Sequence, residues 1–313
     1  MTPPSERLGR RLDAHAGLSQ QLASCTDDEL WRWLEAVTPT GGFGRTRLMS
    51  LDGAPVFAKS LPLTHRERDT PGTANTFALP TYYSYGVGSA GFGAWRELAS
   101  HQKTTDWVLS GAIETFPLML HHRVLPRTSG PEAVSLDELE GYVSYWNGSP
   151  QIRDYIEARH RAEHEIVVFL EYVPHVLREW LPAHPDQLGM VMDGMQRTLR
   201  FLSEQGVIHF DAHLGNVLTD GQQVYLTDFG LQLDEEFALS DAERSFFEAH
   251  RNYDLGLFVA AVARALDASS LQSWAPVADW MKDFLGRLKA GSKSDGGYDD
   301  QALGRLLAEG QLS

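Results

Sequence analysis

The chain has 313 residues and a formal net charge of −15 at pH 7, and 42% of its residues are hydrophobic and 22% charged. This composition is that of a soluble globular protein of two lobes, and we expect it in the cytoplasm and off the membrane, because the N-terminus is polar and no apolar run approaches membrane-spanning length. The charge argues against nucleic acid as a partner, and the single Cys25 excludes an internal disulfide framework.

The first half of the chain predicts helices at its start and β-prone runs after them. Residues 5–24 predict a helix whose ragged apolar stripe suggests weak packing, and Thr26–Glu29 form a capping box that opens a second helix. The turn signal Asp52-Gly53 separates two strands, and the second strand ends at Lys59. The predicted elements are strands at 47–51 and 55–59, an inserted loop rich in Gly, Pro, Ser, Thr and Tyr at 70–93, a helix at 93–101 and a strand at 116–125.

The second half is predicted to be mainly helical. Ser135–Glu138 form another capping box, and Leu136, Leu139, Val143 and Trp146 share one face of the helix that it opens. The further predicted elements are a helix after Pro150, a buried strand at 165–170, a core-facing helix at 188–202 closed by Gly206, and helices that begin at Asp254, at Val277 and at residue 299.

The stretch that carries chemistry is His209-Phe210-Asp211-Ala212-His213-Leu214-Gly215-Asn216, followed by Asp228-Phe229-Gly230. Phosphoryl transfer to a hydroxyl needs a carboxylate that orients the acceptor and takes its proton, which suits Asp211. It also needs an amide and a carboxylate that hold magnesium, which suits Asn216 and Asp228. The β-prone runs 217–218 and 224–226 flank the turn signal Asp220-Gly221 and predict a hairpin that brings these two metal-binding residues close together.

The spacing H-x-D-x-x-x-x-N followed by D-F-G resembles the catalytic signature of the protein-kinase superfamily. The resemblance implies an α+β, bilobal protein kinase-like fold, with an N-terminal antiparallel sheet lobe and a mainly helical C-terminal lobe. It implies ATP and Mg²⁺ as cofactors, Asp211, Lys59 and Asn216 as catalytic residues, and Asn216 and Asp228 as metal ligands. Asp254 is similar to the family's structural aspartate, which braces the catalytic loop through backbone N–H groups.

The same resemblance implies a division of the chain into three parts. We expect an N-terminal helical extension at 1–37 and an ATP-binding N-lobe at 38–173. The N-lobe carries two insertions beyond the usual pattern, at 70–93 and 126–163. A catalytic C-lobe follows at 174–313.

The expected nucleotide-binding residues also follow from the resemblance. Val56-Phe57-Ala58-Lys59 is similar to the V-A-I-K strand, whose lysine reaches the α- and β-phosphates. That lysine needs a carboxylate partner, and we choose Glu97, because Glu67 is too near along the chain. The glycine turn departs from the family pattern, with Pro39 at its first glycine and Thr46 at its usual valine. The other expected contacts are Gly41, Gly42, Phe43 and Gly44 in this turn, and Glu171 and Val173 in the hinge between lobes.

The sequence leaves two classes of acceptor open. Phe210 replaces the arginine that reads a phosphorylated activation loop, and His213 makes the loop similar to the H-x-D-x-H-x-x-N loop of aminoglycoside and choline kinase-like enzymes. The glycine turn and the intact D-F-G are similar to protein kinases. We therefore expect a kinase that acts on a Ser/Thr hydroxyl of a peptide or protein. The alternatives are transfer to a small-molecule alcohol and a pseudokinase that only binds a partner.

The expected mode of acceptor binding uses the insertions and the negative charge. A flexible peptide would bind in a cleft between residues 70–93 and residues 126–163, with its Ser or Thr presented to Asp211. Acidic side chains beyond Gly230 would favour a cationic acceptor. These side chains are Asp234, Glu235, Glu236, Asp241 and Glu243.

Overall fold

The chain is an α+β protein with an antiparallel sheet and many helices. A computed structural model describes residues 6–39, 45–127, 135–266, 268–291 and 293–311. Within these ranges no helix is both long enough and apolar enough to cross a membrane. The helices are α1 Glu6–Ser24, α2 Asp27–Glu35, α3 His65–Asp69, α4 Ala94–Leu109, α5 Leu136–Tyr145, α6 Pro150–His160, α7 Leu177–Ala183, α8 Leu188–Glu204, α9 Asp241–Glu248, α10 Tyr253–Ala265, α11 Ala275–Ala290 and α12 Asp300–Gln311. The strands are β1 Arg45–Leu51, β2 Ala54–Leu63, β3 Met119–Pro126, β4 His164–Glu171, β5 His175–Val176, β6 Val207–Ile208, β7 Val217–Thr219, β8 Val224–Leu226 and β9 Leu233–Asp234.

Four strands form one antiparallel sheet in the order β1-β2-β4-β3. Its register sets Lys59 on β2 opposite Thr46 on β1 and Val168 on β4. Strand β4 is central and covered on both faces, so its sequence is a nearly continuous apolar run rather than an alternating one. The strands predicted at 165–170 and on either side of the Asp52-Gly53 turn are confirmed.

Helices α1 and α2 cover one face of this sheet. Leu22, Leu30 and Leu34 are buried in a cluster that includes Val56 and Phe169 of the strands. The capping box predicted at the start of α2 is confirmed, since the Thr26 side chain accepts from the backbone N–H three residues on and that residue's carboxylate bonds back.

The expectation that α1 packs weakly is wrong, because its main anchor is polar. Arg11 is only 8% exposed, and its guanidinium donates to both carboxylate oxygens of Glu171 at 2.8 and 2.9 Å. The same group donates to the backbone oxygens of Glu114 at 2.7 Å and Phe116 at 2.6 Å. An apolar stripe cannot reveal a buried ion pair with a residue 160 positions away.

Helix α4 covers the opposite face of the sheet, where Leu98 packs with Ile166 and Val168. Its first turn is capped by Glu67, whose Oε1 accepts from the N–H of Ala94 at 2.7 Å. This carboxylate therefore occupies a helix N-terminus, where backbone N–H groups lack partners within the helix.

The loop at 70–93 contains only the short 3₁₀ turn Thr81–Ser84, which confirms an irregular segment, but its aromatic side chains are buried. Tyr83 lies 4.7 Å from Trp146 between ring centroids, and its hydroxyl is 2.6 Å from that of Tyr142. The loop and helices α5 and α6 thus pack directly together. The binding cleft expected between the two insertions stays a prediction, because these contacts at Tyr83 do not test it.

The start of α5 departs from its prediction. Ser135 makes no side-chain capping hydrogen bond, and Leu136 is 75% exposed instead of facing the core. Leu139, Val143 and Trp146 are buried as expected. The buried residues of α5, α6 and the 70–93 loop join one large apolar cluster with those of α8, α10 and α11.

A short hairpin closes the region that carries the catalytic motifs. Strands β7 and β8 pair antiparallel with Val217 opposite Leu226, which confirms the predicted hairpin. Its turn uses Gly221 at φ +84°, and Asp220 accepts from the backbone N–H groups of Gln222 and Gln223. Helix α8, which precedes the His209–Asn216 stretch, ends at Glu204 and is closed by Gly206 at φ +69°, also as predicted.

Candidate active site

Three charged side chains meet between the sheet, α4 and the segment after the hairpin. Lys59 Nζ lies 2.5 Å from Glu97 Oε1 and 2.7 Å from Asp228 Oδ1. The expected pairing of Lys59 with Glu97 is therefore present, although 38 positions separate the two residues. Strand β2 supplies the lysine, the first turn of α4 the glutamate, and the residue after β8 the aspartate.

Burial and charge act in opposite directions on these groups. Desolvation alone would raise the pKa of Asp228, but the charge and hydrogen bond of Lys59 outweigh it and lower the pKa to about 2. Burial would lower the pKa of Lys59, and the two carboxylates raise it instead. For Glu97 burial raises the pKa more than Lys59 lowers it. Asp228 is therefore the fixed anion of the group, with 46% of its side chain exposed.

Asp254 fixes the backbone at the start of the His209–Asn216 stretch. Its two carboxylate oxygens accept from the backbone N–H of His209 at 2.7 Å and of Phe210 at 2.8 Å. Phe210 has φ +62°, a conformation that costs energy for a non-glycine residue and needs such support. The bracing contact expected of Asp254 is therefore present. Burial raises the pKa of this carboxyl to about 7 despite the two backbone hydrogen bonds.

His209 orients the start of the same loop as a neutral ring. Burial lowers its pKa to about 4. Its Nε2 lies 3.1 Å from the carbonyl oxygen of Thr227, which can only accept, while its Nδ1 accepts from the N–H of Asp211 at 3.2 Å. One tautomer satisfies both contacts and ties the loop to the end of β8.

Asn216 links the loop to the hairpin. Its Nδ2 donates to Asp211 Oδ2 at 2.8 Å and to the Asp211 carbonyl oxygen at 3.0 Å. The N–H of Thr227 donates to the backbone oxygen of Asn216 at 2.9 Å, so Asn216 and Asp228 flank the two ends of one ribbon. Among the described residues no group of three or more His, Cys, Asp or Glu side chains could hold a metal ion. A metal held by Asn216 and Asp228 would therefore need oxygen ligands from elsewhere, as phosphates supply.

Asp211 has one carboxylate oxygen bound and one buried without a partner. Oδ2 accepts from Asn216, whereas Oδ1 is buried and has no hydrogen-bond partner. The nearest cationic candidate, His213 Nε2, lies 3.6 Å from Oδ1, beyond hydrogen-bond range. Burial is the main cause that raises the pKa of Asp211. A buried acceptor without a donor is costly and marks a place where a hydroxyl would be stabilised.

The 70–93 loop packs against Asp211 Oδ1. A Cβ built on Gly86 would overlap Asp211 Oδ1 and lie 2.9 Å from its Cγ and 3.2 Å from the Phe210 carbonyl oxygen. Farther along, the N–H of Phe92 donates to the carbonyl oxygen of Gly230 at 3.0 Å. The segment Tyr85–Phe92 therefore runs across both catalytic motifs. No feature of its composition predicts this path.

The other expected nucleotide contacts lie apart from this group or outside the described residues. Glu171 uses its carboxylate for Arg11 and for the N–H of Leu118 at 3.0 Å, and its own N–H donates to the Leu118 carbonyl oxygen. Val173 is buried two residues beyond β4. The turn residues Gly41, Gly42, Phe43 and Gly44 lie outside the residues that the structure describes.

Two of the five acidic residues expected at the surface beyond Gly230 are buried, and the other three are exposed. Asp234 and Glu243 are 0% and 1% exposed, and they pair with Lys103 at 2.8 Å and Arg96 at 2.8 Å. The remaining three acids also have cationic partners at 2.7–3.0 Å, namely Glu235 with Arg251, Glu236 with Lys103 and Asp241 with Arg244. Lys103 is shared by Asp234 and Glu236, so four cations face these five carboxylates and the surface keeps a net negative charge.

One buried residue near the site, His101, was not predicted from the sequence. His101 lies one turn after Glu97 on α4, and its ring is 4.9 Å from that of Phe229. Burial, with the charge of Lys59, lowers its pKa to about 3, so it is a neutral packing partner of the D-F-G segment. The i, i+4 spacing from Glu97 is the signal that would have found it.

No protein-family model matches this chain, and no curated protein is similar enough to count as a relative. The functional argument therefore rests on the site itself.

Proposed function

We propose that this chain is an ATP-dependent phosphotransferase that moves the γ-phosphoryl group to an alcohol hydroxyl. The observation that carries the proposal is the joint geometry of Lys59, Glu97 and Asp228 beside Asp211 and Asn216. A lysine fixed between two carboxylates, with an amide and a second aspartate on the adjoining loop, meets the positioning and electrostatic needs of phosphoryl transfer.

Each of these residues has a distinct role in the proposal. Lys59, oriented by Glu97, binds the α- and β-phosphates of ATP. Asp228 and Asn216 would hold Mg²⁺ together with phosphate oxygens, and the bound ion would neutralise phosphate charge. Gly41, Gly42, Phe43 and Gly44 would cover the phosphates, and backbone groups near Glu171 and Val173 would contact the adenine.

Asp211 is assigned to the acceptor. Its Oδ1 accepts the hydroxyl hydrogen and orients the oxygen for attack on the γ-phosphorus. The new O–P bond forms as the bond from that phosphorus to the β–γ bridging oxygen breaks, ADP leaves, and the hydroxyl proton passes to Asp211. The raised pKa of Asp211 supports this role, because a more basic carboxylate accepts a proton more readily.

The arrangement that suits this chemistry is bilobal and kinase-like. In it the sheet and its helices form an ATP-binding lobe within 38–173, residues 1–37 are an extension on its outer face, and 174–313 form the catalytic lobe. The four-stranded antiparallel sheet that carries Lys59 supports the first assignment. The position of the hairpin and loop among α7, α8 and α10 supports the second.

The acceptor proposed first is a Ser or Thr hydroxyl of a peptide or protein. A small-molecule alcohol is the second candidate, favoured by the direct packing of residues 70–93 on α5 and α6, which leaves a folded protein little access to Asp211. A cytoplasmic location remains part of the proposal, since ATP is abundant there.

Calorimetric titration with Mg-ATP tests nucleotide binding without any acceptor. We expect the wild type to bind Mg-ATP and Asp228→Ala to bind it clearly more weakly. The matched control Asp193→Ala changes an exposed aspartate of α8 and should bind Mg-ATP as tightly as the wild type. Transfer of labelled γ-phosphate across a panel of Ser/Thr peptides and amino-sugars then identifies the acceptor class. No Mg-ATP binding by the wild type would overturn the proposal, and binding without transfer to any acceptor would favour a pseudokinase.

A further inference from the structure

The segment Tyr85–Phe92 keeps other molecules away from the free carboxylate oxygen of Asp211. Oδ1 of Asp211 is buried and accepts no hydrogen bond. Gly86 packs so closely on it that a built Cβ would overlap this oxygen and lie 3.2 Å from the Phe210 carbonyl oxygen. A hydroxyl oxygen must come within about 3 Å of a carboxylate oxygen to donate to it. The backbone at Gly86 therefore blocks the approach that an acceptor hydroxyl needs.

The segment is anchored at both ends. At one end Tyr85 is buried in an aromatic pocket, where its ring centroid lies 5.4 Å from that of Phe246 and 5.7 Å from that of Tyr253. At the other end Phe92 is buried, and its N–H donates to the carbonyl oxygen of Gly230 at 3.0 Å. Displacement of the segment from Asp211 therefore involves the residues between these two anchors.

The residues between the anchors are small and take hydrogen bonds from helix α5. Residues 86–91 have the sequence Gly-Val-Gly-Ser-Ala-Gly, in which Val87 has the largest side chain. Tyr145 donates to the Val87 carbonyl oxygen at 2.8 Å, and Tyr142 donates to that of Gly88 at 3.0 Å. The three glycines give this stretch a wide choice of other backbone conformations, so the tyrosine hydroxyls hold a segment that can move.

A chain of hydrogen bonds begins and ends on the same stretch. The N–H of Ala90 donates to the Tyr83 hydroxyl at 3.0 Å. That hydroxyl lies 2.6 Å from the hydroxyl of Tyr142, which donates to the Gly88 carbonyl oxygen. Because each hydroxyl has one hydrogen, Tyr83 must donate to Tyr142. Loss of the Tyr142 hydroxyl would therefore break two hydrogen bonds of this chain.

We propose that residues 86–91 form an autoinhibitory strap, which covers Asp211 until an acceptor displaces it. With the strap closed, neither an acceptor hydroxyl nor water can donate to Oδ1 of Asp211. With the strap lifted between Tyr85 and Phe92, either of them can. The closed strap thus prevents loss of the γ-phosphoryl group to water while Mg-ATP is bound without an acceptor. This inference rests on the proposed phosphotransferase function and adds the regulation of the same site.

Transfer to water measures the open state without any acceptor. A water molecule then donates to Asp211 Oδ1, and its oxygen bonds to the γ-phosphorus as the bond from that phosphorus to the β–γ bridging oxygen breaks. ADP leaves, and the proton of the water passes to Asp211. Release of inorganic phosphate from Mg-ATP should therefore increase in proportion to the open fraction of the strap.

The first test weakens the strap at its contact with α5. Tyr145→Phe keeps the ring but removes the hydroxyl that donates to Val87. Loss of one hydrogen bond should raise the open fraction, and with it acceptor-free hydrolysis of ATP, by about two- to tenfold. Tyr142→Phe should act in the same direction. The affinity for Mg-ATP, measured by calorimetry, should stay at its wild-type value in Tyr145→Phe, and the double variant Tyr145→Phe/Asp211→Asn should lose the gain in hydrolysis.

The second test follows the strap itself and needs no nucleotide. Hydrogen exchange of residues 86–92, measured by mass spectrometry of peptic fragments, should be faster in Tyr145→Phe than in the wild type, while exchange in α8 stays unchanged. The matched control is Tyr225→Phe, which loses a hydrogen bond of the same length, 2.8 Å, to Asp220 in the β7–β8 turn. Exchange of the strap should be the same in this control as in the wild type.

The two tests together separate failure of this inference from failure of the proposed function. Faster hydrolysis with faster exchange of the strap would support the inference. Unchanged hydrolysis in a variant that binds Mg-ATP normally would overturn it and leave the phosphotransferase in place. Faster hydrolysis without faster exchange would also overturn it, because the gain would not come from the strap. No binding of Mg-ATP by the wild type would overturn the proposed function and, with it, the inhibitory role of the strap.

Discussion

The nucleotide side and the acceptor side of the candidate site differ in how closely a basic side chain approaches the aspartate, at 2.7 Å from Lys59 to Asp228 and 3.6 Å from His213 to Asp211. On the nucleotide side, Lys59, Glu97 and Asp228 form a closed set of ion pairs at 2.5 and 2.7 Å. On the acceptor side, Asp211 Oδ1 is buried without any donor. A carboxylate paired with a lysine is a preformed anion, whereas a buried carboxylate oxygen without a donor marks a place where a substrate group can bind.

The same contrast appears in the acidity of the two aspartates. Lys59 lowers the pKa of Asp228, which suits a permanent anion, while burial raises the pKa of Asp211, which suits a group that takes up a proton. Two aspartates with opposite shifts in one site are the usual way in which a fold separates a charge-holding role from an acid–base role. Variants on the two sides of the site should therefore have different effects on transfer and on nucleotide binding.

The largest effect is expected on the acceptor side. Asp211→Asn keeps the size of the side chain but removes its capacity to take a proton, so transfer should fall by about 10²–10⁴-fold while Mg-ATP affinity changes little. Initial rates and calorimetry together measure this split. Equal loss of nucleotide binding would show that Asp211 belongs to the nucleotide side.

The nucleotide side should respond differently. Asp228→Ala and Asn216→Ala should weaken Mg-ATP binding and lower turnover together, by roughly 10²-fold, which is the upper end of the loss typical of outer partners of a metal. Excess magnesium should partly restore Asn216→Ala. Normal affinity combined with a deficit that magnesium cannot relieve would exclude a role in metal binding.

A smaller effect is expected at Asp254, whose hydrogen bonds hold the backbone that carries both sides of the site. Asp254→Ala removes two hydrogen bonds to the N–H groups of His209 and Phe210 and should lower the free energy of unfolding by about 1–3 kcal/mol. Urea denaturation measures this, with Asp193→Ala at an exposed position of α8 as control. An unchanged midpoint with normal activity would rule out the bracing role.

The smallest effect concerns pH. The folded-state pKa of Asp254 is about 7, above the unfolded value of 3.8, so between these values the folded state binds more protons. This group should therefore make the protein lose stability as pH rises from about 4 to about 7. Comparing denaturation at pH 5 and pH 7.5, the decrease should be smaller in Asp254→Asn than in the wild type. An identical pH dependence in the two proteins would contradict the raised pKa.

Local patterns predicted much of the fold, because helices, turns and strands depend on residues that are neighbours in the sequence. The periodicity of α8, the hairpin turn Asp220-Gly221 and the apolar run of β4 each have a direct physical cause in adjacent side chains. The same reasoning misjudged Ser135, where a correct capping pattern makes no capping bond in the folded chain.

Long-range polar contacts could not be predicted in the same way. The choice of Glu97 over Glu67 succeeded because motif spacing supplied a reason, and Glu67 is used to cap α4. The course of residues 85–92 over Asp211 had no such signal, since glycine gives no hint of what it approaches. The partners of Asp234 and Glu243 were equally invisible, because their cations come from a different helix, α4.

Arg11 has a consequence for how this protein is made. Helix α1 is synthesised well before its partner, because the guanidinium of Arg11 pairs with a carboxylate 160 residues farther along the chain. At about 5–20 residues per second, Glu171 follows roughly 8–30 s later. During that interval strands β3 and β4 are not both complete, so the leucines of α1 lack part of the surface on which they pack. Helix α1 therefore reaches its final contacts only after Glu171 has been synthesised.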